Sequence, residues 1–491
     1  MSAKAIIIGA GFSGLSAASV LAKEGLQVKV FEKNKLPGGR ARKLEENGFL
    51  FDMGPSWYWL PDVFERFFNL FGKSSADYYK LVRLDPSYRV FYSKDEIVDV
   101  PAGRDNVIEL FESIERGSGK KLAKFLDEAE YKYRVGVNQL VYKPARSLFE
   151  FVRWDVFKGI FRLHLLKSFH NYVRKNFKDP RIWPLLEFPV IFLGATPKRT
   201  PALYSLMNHA DIGLGTWYPM GGMFEVIAGF VKLAESLGVE FYYDSPVEKI
   251  ITSENKVTGV TVNGKFHEAD FIVGSADYHH IEQSLLPENK TNYTEKYWNS
   301  REMAPSSLMY YLGLDRKFQN MIHHNLFFDQ DFEVHATELF EKQQWPSNPL
   351  LYTSVTSKTD PLVAPETMEN LVVLIPVAPG LEDSESVREK YYNLVMDRLE
   401  TLTGEPVRDH IVFRKSYAHN DFSSDYNAFK GNAYGLGNTL MQTAILKPKL
   451  HSAKLRNMVY AGQLTTPGPG VPPTIISGQV AAGEIIKMIR K

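Results

Sequence analysis

Three glycines near the start of the chain, Gly9, Gly11 and Gly14, have the spacing G-x-G-x-x-G. In this spacing the first glycine allows a tight turn, the second lets a pyrophosphate approach the backbone, and the third allows a helix to pack closely on a strand. An apolar run at residues 4–8 precedes the glycines, and a helical pattern at residues 13–24 follows them. The residues therefore predict a dinucleotide site in which the positive end of the helix faces the phosphates.

An acidic side chain and a second glycine pair extend this motif. Glu32 ends a β-branched run at residues 28–32, about 20 residues after the last glycine, where a carboxylate can accept hydrogen bonds from ribose hydroxyls. Gly38, Gly39 and Arg40 then combine close approach of the backbone with a forked donor for phosphate oxygens. The first part of the chain thus supplies contacts for both the ribose and the phosphates of a dinucleotide.

The carboxy-terminal region has a similar order of strand, glycine loop and helix. An apolar run at residues 459–461 leads into Gly462 and a loop rich in proline and glycine that ends at Pro472, before a helical pattern at residues 474–488. A helix that starts after such a loop again offers unpaired N–H groups to a phosphate or a flavin. The alternative is a rigid surface loop before a terminal helix. Together with the first motif, the pattern predicts that both ends of the chain meet at one cofactor.

The stretch from Glu32 to Gly38-Gly39-Arg40 resembles that of the flavoprotein superfamily that includes amine oxidases, carotenoid desaturases and Rab GDP-dissociation inhibitors. Further motifs resemble those of bacterial carotenoid desaturases of the phytoene desaturase type, and this similarity runs along essentially the whole chain. They are Gly38-Gly39-Arg40-Ala41, Gly48-Phe49, residues 51–56, residues 217–223 and the Pro-Gly-x-Gly-x-Pro loop. The resemblance implies noncovalent FAD. The implied cofactor-binding residues are Gly9, Ala10, Gly11, Phe12, Ser13, Gly14, Glu32, Lys33, Gly39, Arg40, Gly54, Pro55, Ser56, Val247, Gly462 and Pro472.

The resemblance also implies a reaction, the introduction of double bonds into phytoene, a C40 polyene, towards lycopene in carotenoid biosynthesis. A hydride would leave an allylic carbon for the flavin and a proton would pass to a base or water, while the protein supplies alignment in an apolar tunnel. Quinone or dioxygen is the expected electron acceptor. The alternatives are a hydroxycarotenoid 3,4-desaturase, another polyene or amine flavin oxidase, and a prenyl-binding protein without redox chemistry.

The acid–base pair proposed for that family is an aspartate with an arginine three residues on, and it corresponds here to Glu150 and Arg153. Glutamate in place of aspartate departs from the family pattern and extends the side chain by one methylene. The alternative is an ion pair on the surface of a helix. His209 and Asp211 precede residues 217–223, but a lone histidine is more often structural, so we assign neither a catalytic role.

A stretch at residues 147–178 interleaves large apolar side chains with cations. It contains Phe149, Phe151, Trp154, Phe157, Phe161 and Phe169 together with Lys158, Arg162, Lys167, Arg174 and Lys175. The pattern is typical of an interfacial helix on anionic lipid, and a core helix with solvated cations is an equal alternative. We predict membrane-associating helices near residues 147–195 and a cytoplasmic location at the inner face of the cytoplasmic membrane.

Composition restricts the other classes of function. Lysine and arginine number 58 against 57 acids, for a net charge of +1, which gives no support to nucleic-acid binding. The absence of cysteine excludes disulfides, Fe–S clusters and thiolate zinc sites, and no metal site is predicted. It also suits a reducing cytoplasm.

We predict an α/β fold in which a Rossmann-type, amine-oxidase-like FAD-binding fold is interleaved with an α+β substrate domain. The FAD-binding domain is expected at residues 1–75, 225–290 and 415–491, and the polyene-binding domain at residues 76–224 and 291–414. Within the first of these, residues 239–247 and 256–272 predict strands of a meander, with Asn263-Gly264 as a hairpin turn.

Overall fold

The structure is a computed structural model that describes residues 2–147, 150, 167–191 and 196–490. A five-stranded parallel sheet forms one half of the molecule. In spatial order its strands are Met458–Tyr460, Phe271–Gly274, Lys4–Ile8, Gln27–Phe31 and Glu240–Tyr242. The central strand pairs on both sides, Ile7 with Val30 and with Val273. Because all of these strands are parallel, their carboxyl ends meet at one edge of the sheet, although they come from parts of the chain that are far apart in sequence. The predicted Rossmann-type α/β arrangement is present.

Helices from the two ends of the chain pack against each other beside this sheet. They are Phe12–Lys23 and Val471–Ile489, and a third helix, Met223–Ser236, also contacts the first. A Cβ atom at Gly478 would lie 2.2 Å from the carbonyl oxygen of Ser13, so the two terminal helices touch through their backbones. The last helix begins three residues before the predicted start at residue 474, because prolines are well accommodated in the first helical turn.

A three-stranded antiparallel meander follows, with strands Val247–Ser253, Lys256–Val262 and Lys265–Glu268. Asn263 and Gly264 both have positive φ, 49° and 69°, so the predicted hairpin turn is confirmed. The prediction of one meander strand over residues 239–247 is wrong. Glu240–Tyr242 joins the parallel sheet instead, since Asp244 turns the chain with a φ of 48° and Pro246 has no N–H for a strand ladder.

The other half of the molecule contains a seven-stranded sheet. In spatial order its strands are Ile411–Tyr417, Ser306–Leu314, Glu369–Val377, Leu351–Ser354, His324–Phe327, Tyr88–Phe91 and Ile97–Val100. Alternate side chains of Ser306–Leu314 pack into different hydrophobic cores, because successive side chains point to opposite faces of a strand. Leu308, Tyr310 and Leu312 pack with the helix Glu385–Thr403, whereas Met309 and Tyr311 face the core shared with the parallel sheet.

Smaller elements complete the fold. Two strand pairs join Lys43–Glu46 to Phe49–Asp52 and Leu81–Arg83 to Trp217–Pro219. The remaining α-helices of the described residues are Pro61–Asn69, Arg104–Ile114, Ser118–Val135, Phe169–Asn176, Ile182–Ile191, Leu206–Asn208, Tyr278–His280, Glu295–Asn299, Phe332–Thr337 and His419–Tyr426. The predicted domain boundaries stay a prediction.

The stretch predicted to associate with a membrane is described only at its ends. Phe149, Phe151, Trp154, Phe157, Lys158, Phe161 and Arg162 lie outside the described residues. At the described end Phe169 is buried, and Arg174 forms an ion pair of 2.5 Å with Glu187, so this part is a core helix. Among the described residues, no helix combines the length and the apolar character needed to cross a bilayer.

Candidate functional site

A cavity of about 720 Å³ lies between the two large sheets. At one end its walls include Gly9, Glu32 and Ala461, each of which directly follows a strand of the parallel sheet. At the other end Met309 and Leu374 of the seven-stranded sheet form the wall. Both halves of the fold therefore contribute to one site, at the carboxyl edge where α/β folds bind their ligands.

The glycine loop has the geometry that its spacing predicts. Gly9 turns with a φ of 101°, and a Cβ there would lie 3.2 Å from the backbone nitrogen of Ala276. A Cβ at Gly14 would lie 2.1 Å from the carbonyl oxygen of Gly9, so a side chain at this position would collide with the backbone. A Cβ at Gly11, in contrast, would meet none of the described atoms within 4 Å. The backbone is thus open at Gly11, where a pyrophosphate has to approach.

Glu32 is buried at the end of the neighbouring strand and is held by backbone donors. Its Oε2 accepts the N–H of Ala10 at 2.8 Å, and its Oε1 accepts the N–H of Asn34 at 2.9 Å. Glu32 follows the strand Gln27–Phe31 directly and lines the cavity. Its carboxylate therefore fixes the glycine loop to the second strand and is oriented beside the space that a ribose would occupy.

Arg40 places a cation opposite the glycine loop. Its Nη2 donates to the carbonyl oxygen of Asn432 at 3.0 Å, and its guanidinium lies 5.2 Å from the ring centre of Tyr426. Burial lowers the pKa of Arg40, while the nearby carboxyl of Asp277 acts in the opposite direction. Its Nε is buried and has no hydrogen-bond partner among the described residues. A half-buried cation with a donor that has no described partner is the feature expected of a phosphate-binding residue.

These features fit an anionic dinucleotide such as FAD. The helix Phe12–Lys23 has neither a side-chain cap at Gly11 nor an acidic residue in its first turn, so its N–H groups are available. Gly39 turns with a φ of 54°, and a Cβ there would lie 3.5 Å from the Cα of Gly11. A Cβ at Gly54 would lie 2.3 Å from the carbonyl oxygen of Arg40, which brings the next predicted segment to the same place.

The structure gathers most of the predicted cofactor-binding residues around this cavity. Its wall includes Gly9, Gly11, Phe12, Ser13, Glu32, Lys33, Gly39, Arg40, Gly54, Pro55, Ser56, Val247, Gly462 and Pro472. Ala10 and Gly14 belong to the same loop but are not part of the wall. The contact of each residue with FAD stays a prediction.

Neither residue of the predicted acid–base pair is found in the wall of the cavity as far as the structure describes them. Glu150 is not part of the cavity wall, and its Oε1 accepts the N–H of Arg146 at 3.2 Å. Arg153 lies outside the described residues. The proton-transfer role of this pair therefore stays a prediction.

Aromatic side chains form the wall of the cavity on the side away from the glycine loop. Trp57 stacks on His324, with ring centres 4.1 Å apart and an interplanar angle of 11°. The ring centres of Tyr352 and Phe188 lie 5.5 and 5.9 Å from that of Trp57. Apolar wall residues near them are Trp59, Leu60, Pro189, Met207, Met309 and Leu374. An aromatic and aliphatic wall of this kind suits a long apolar ligand.

Hydroxyl groups connect the aromatic wall to His324, which lies behind the wall and is not part of it. Ser56 Oγ and Tyr352 Oη are 2.8 Å apart, and Tyr352 Oη lies 2.7 Å from Nδ1 of His324. Burial lowers the pKa of His324 well below its usual value. Sequence reasoning missed Tyr352 and His324, since nothing local marks them. Trp57 directly follows residues 51–56 and could have been found there.

His209 and Asp211 do not line the cavity. Burial lowers the pKa of His209, whose ring packs 5.1 Å from that of Tyr133. Asp211 accepts the hydroxyl of Tyr88 at 3.0 Å, and burial raises its pKa to about 7. Their surroundings are those of structural residues.

Known proteins are similar to this chain in sequence and in fold. Residues 12–486 match the family of flavin containing amine oxidoreductases. The chain is 40% identical to a carotenoid 3,4-desaturase from Haloarcula japonica over 484 residues, 98% of this chain and 98% of that relative. It is 31% identical to a zeta-carotene-forming phytoene desaturase from Myxococcus xanthus, over 98% of this chain and 93% of that relative.

Solved structures agree on the fold. An oxidoreductase from Methanosarcina mazei superposes with a TM-score of 0.63 at 16% identity, covering 99% of this chain and 100% of that one. The predictions of the family, of FAD as cofactor and of an enzyme are confirmed. The chain belongs to the carotenoid desaturases within the flavin containing amine oxidoreductases, and it is an FAD-dependent oxidoreductase.

Proposed function

We propose that the chain is a carotenoid 3,4-desaturase. The observation that carries this proposal is the 40% identity to a carotenoid 3,4-desaturase over nearly the full length of both chains. The predicted action on phytoene has weaker support, since the phytoene desaturase that matches is 31% identical. A hydroxycarotenoid, the alternative weighed from the sequence, is the substrate that we favour.

The geometry of the cavity is consistent with this chemistry. When bound, FAD accepts a hydride and its two electrons from a C–H bond. The protein has to hold the polyene in one orientation and to keep water from the carbon that becomes electron-poor. The rings of Trp57 and Tyr352 and the aliphatic chains of Leu60 and Met309 present the surface for this. Glu32 and Arg40 lie at the opposite end, where they can position the cofactor.

Pigment analysis tests the substrate. The chain is expressed in one bacterial strain that accumulates phytoene and in another that accumulates a hydroxylated acyclic carotenoid. Since each additional conjugated double bond shifts absorption to longer wavelength, we expect a red shift in the second strain and a colourless extract from the first. An empty vector is the control for each strain. Coloured product from phytoene alone would contradict the proposal and favour the phytoene desaturase.

The electron acceptor is part of the proposal as well. We propose quinone or dioxygen, as the family resemblance implies. Purified protein whose flavin has been reduced in the absence of air is mixed with a soluble quinone or with dioxygen, and recovery of the flavin absorbance is followed. Reoxidation within the time of one turnover by at least one of them is expected. Slow reoxidation by both would point to a different acceptor.

A further inference from the structure

A carboxyl group lies directly behind the cavity wall. Asp52 ends the strand Phe49–Asp52 and is 7% exposed. Its Oδ1 accepts the backbone N–H of Met223 at 2.8 Å, at the start of the helix Met223–Ser236. A Cβ at Gly222 would lie 2.8 Å from the same oxygen. The side chain is therefore fixed in one orientation by the amino end of a helix.

A second, smaller cavity separates Asp52 from the main one. Its volume is about 10 Å³, which is room for about one water molecule. Its polar wall residues are Asp52, Ser56, Tyr352, Ser354 and Thr356. Ser56 and Tyr352 also belong to the wall of the main cavity. Gly54, Met309 and Leu374 line both cavities as well, and the Ser56–Tyr352 hydroxyl pair, 2.8 Å apart, is the hydroxyl-bearing part of this shared boundary.

We propose that Asp52 is the proton acceptor of the desaturation, reached from the main cavity through Ser56, Tyr352 and a water molecule in the small cavity. This inference rests on the proposed function. One C–H bond of the polyene gives its hydride to the flavin, which is the oxidant. The neighbouring C–H bond then breaks, and its electron pair becomes the new C=C bond. Its proton passes to a hydroxyl of the pair, which releases its own proton through the water to the Asp52 carboxylate.

The surroundings of Asp52 make it suitable for this role. Burial, with a smaller contribution from the nearby Asp360, raises its pKa to about 7 against the opposing effect of the N–H groups of the helix. An acceptor whose pKa is near the working pH can both take up and release a proton. Burial raises the pKa of the phenols of Tyr218, Tyr311 and Tyr352 above the usual value, and the negative charge of Asp52 adds to this rise.

The histidines near this site do not titrate near neutral pH. Burial lowers the pKa of His323, which packs against Tyr218, to about 3, and that of His324 well below its usual value. A titration near pH 7 in this region is therefore expected from Asp52. Asp211 has the same pKa of about 7, but it lines neither cavity, which makes it a matched control.

The test compares Asp52→Asn with Asp211→Asn in the FAD-loaded enzyme. The rate at which the carotenoid bleaches the flavin is measured without air, across a pH range centred on about 7. For the wild type we expect the rate to rise with pH as Asp52 loses its proton. Asp52→Asn should lower the rate at high pH by at least about 100-fold and remove the rise, within the range for general acid–base catalysis. Asp211→Asn should keep both.

Asparagine retains the oxygen that accepts the Met223 N–H, so FAD content and the unfolding midpoint of Asp52→Asn should match the wild type. A normal rate and pH profile in this variant would overturn the inference, as would loss of the pH rise in Asp211→Asn alone. If Asp52→Asn does not fold, Ser56→Ala and Tyr352→Phe test the inference instead. Each is expected to slow bleaching of the flavin at least about tenfold. The substrate concentration at half-maximal rate should not change. A wild type that no carotenoid bleaches would instead refute the proposed function itself.

Discussion

At the scale of single residues, the cofactor end of the site depends on two charged side chains that the protein itself orients. Glu32 receives two backbone N–H groups, and its carboxylate is oriented before any ligand arrives. Arg40 uses only part of its fork on Asn432 and keeps Nε free of described partners. Because these side chains are already oriented, binding costs little free energy of reorganisation, and they can contribute much of the affinity for an anionic cofactor.

Replacement of Arg40 by methionine is expected to weaken FAD binding about 10- to 100-fold, since a hydrogen bond to a charged group contributes about 1.5–3 kcal/mol. The measurement is titration of the apoprotein with FAD, followed by flavin fluorescence. Arg42→Met is the control, because Arg42 packs on the same Tyr426 ring, pairs with Asp425 at 2.5 Å and does not line the cavity. Equal weakening in both variants would contradict a phosphate-binding role for Arg40.

At the scale of elements, the close contact of the two terminal helices links the cofactor loop to the end of the chain. Gly478 lets the backbone of Val471–Ile489 touch the first turn of Phe12–Lys23 at Ser13. The hydroxyl of Ser16 in that helix donates to the carbonyl oxygen of Ile475 at 2.8 Å. The first helix is thereby held at the angle at which its amino end faces the cavity.

Gly478→Ala should destabilise the protein by about 1–3 kcal/mol, the usual cost of overpacking, because its Cβ would lie 2.2 Å from the Ser13 carbonyl oxygen. FAD binding should weaken at the same time. Gly483→Ala is the control in the same helix, where a Cβ meets none of the described atoms within 4 Å and helix propensity improves. Urea unfolding with and without FAD measures both effects. An unchanged unfolding midpoint in Gly478→Ala would show that the contact can relax.

The sequence was informative where structure is local and much less so where it is not. The strand Lys4–Ile8 and the first helix follow from residue periodicity, and Asn263-Gly264 follows from turn chemistry. The strand Glu240–Tyr242 was assigned to the wrong sheet, since pairing with residues 29–31 leaves no local signal. The stacking of Trp57 on His324 is unpredicted for the same reason, because His324 lies in the seven-stranded sheet whereas Trp57 lies in a loop far away in the sequence.

At the scale of the whole molecule, two sheets of different type share one cavity. The parallel sheet supplies the glycine loop, and the seven-stranded sheet supplies the wall of Met309 and Leu374. A carotenoid is a membrane molecule, so it has to leave the bilayer to reach this space. The part of the basic and aromatic stretch that precedes the core helix at Phe169 remains our prediction for the surface that contacts the lipid.

Flotation with anionic liposomes tests this prediction. At low salt we expect the protein to float with the vesicles, and at high salt to remain in solution, because the attraction to anionic lipid is screened. Replacing Lys158 and Arg162 together by glutamate should abolish flotation. Lys120→Glu with Lys124→Glu, the same change of charge at exposed positions of the helix Ser118–Val135, should leave it intact. Flotation that is equal for both pairs would place the contact elsewhere.

The position of Met458–Tyr460 at the edge of the parallel sheet has a consequence for biosynthesis of the protein. The glycine loop is translated long before the strand beside Phe271–Gly274 and the helix that packs on Ser13. A nascent chain that does not yet include this strand and this helix therefore has an incomplete nucleotide pocket. The flavin can be enclosed only after both have been made, so chaperone protection of the earlier segments should raise the yield of holoenzyme.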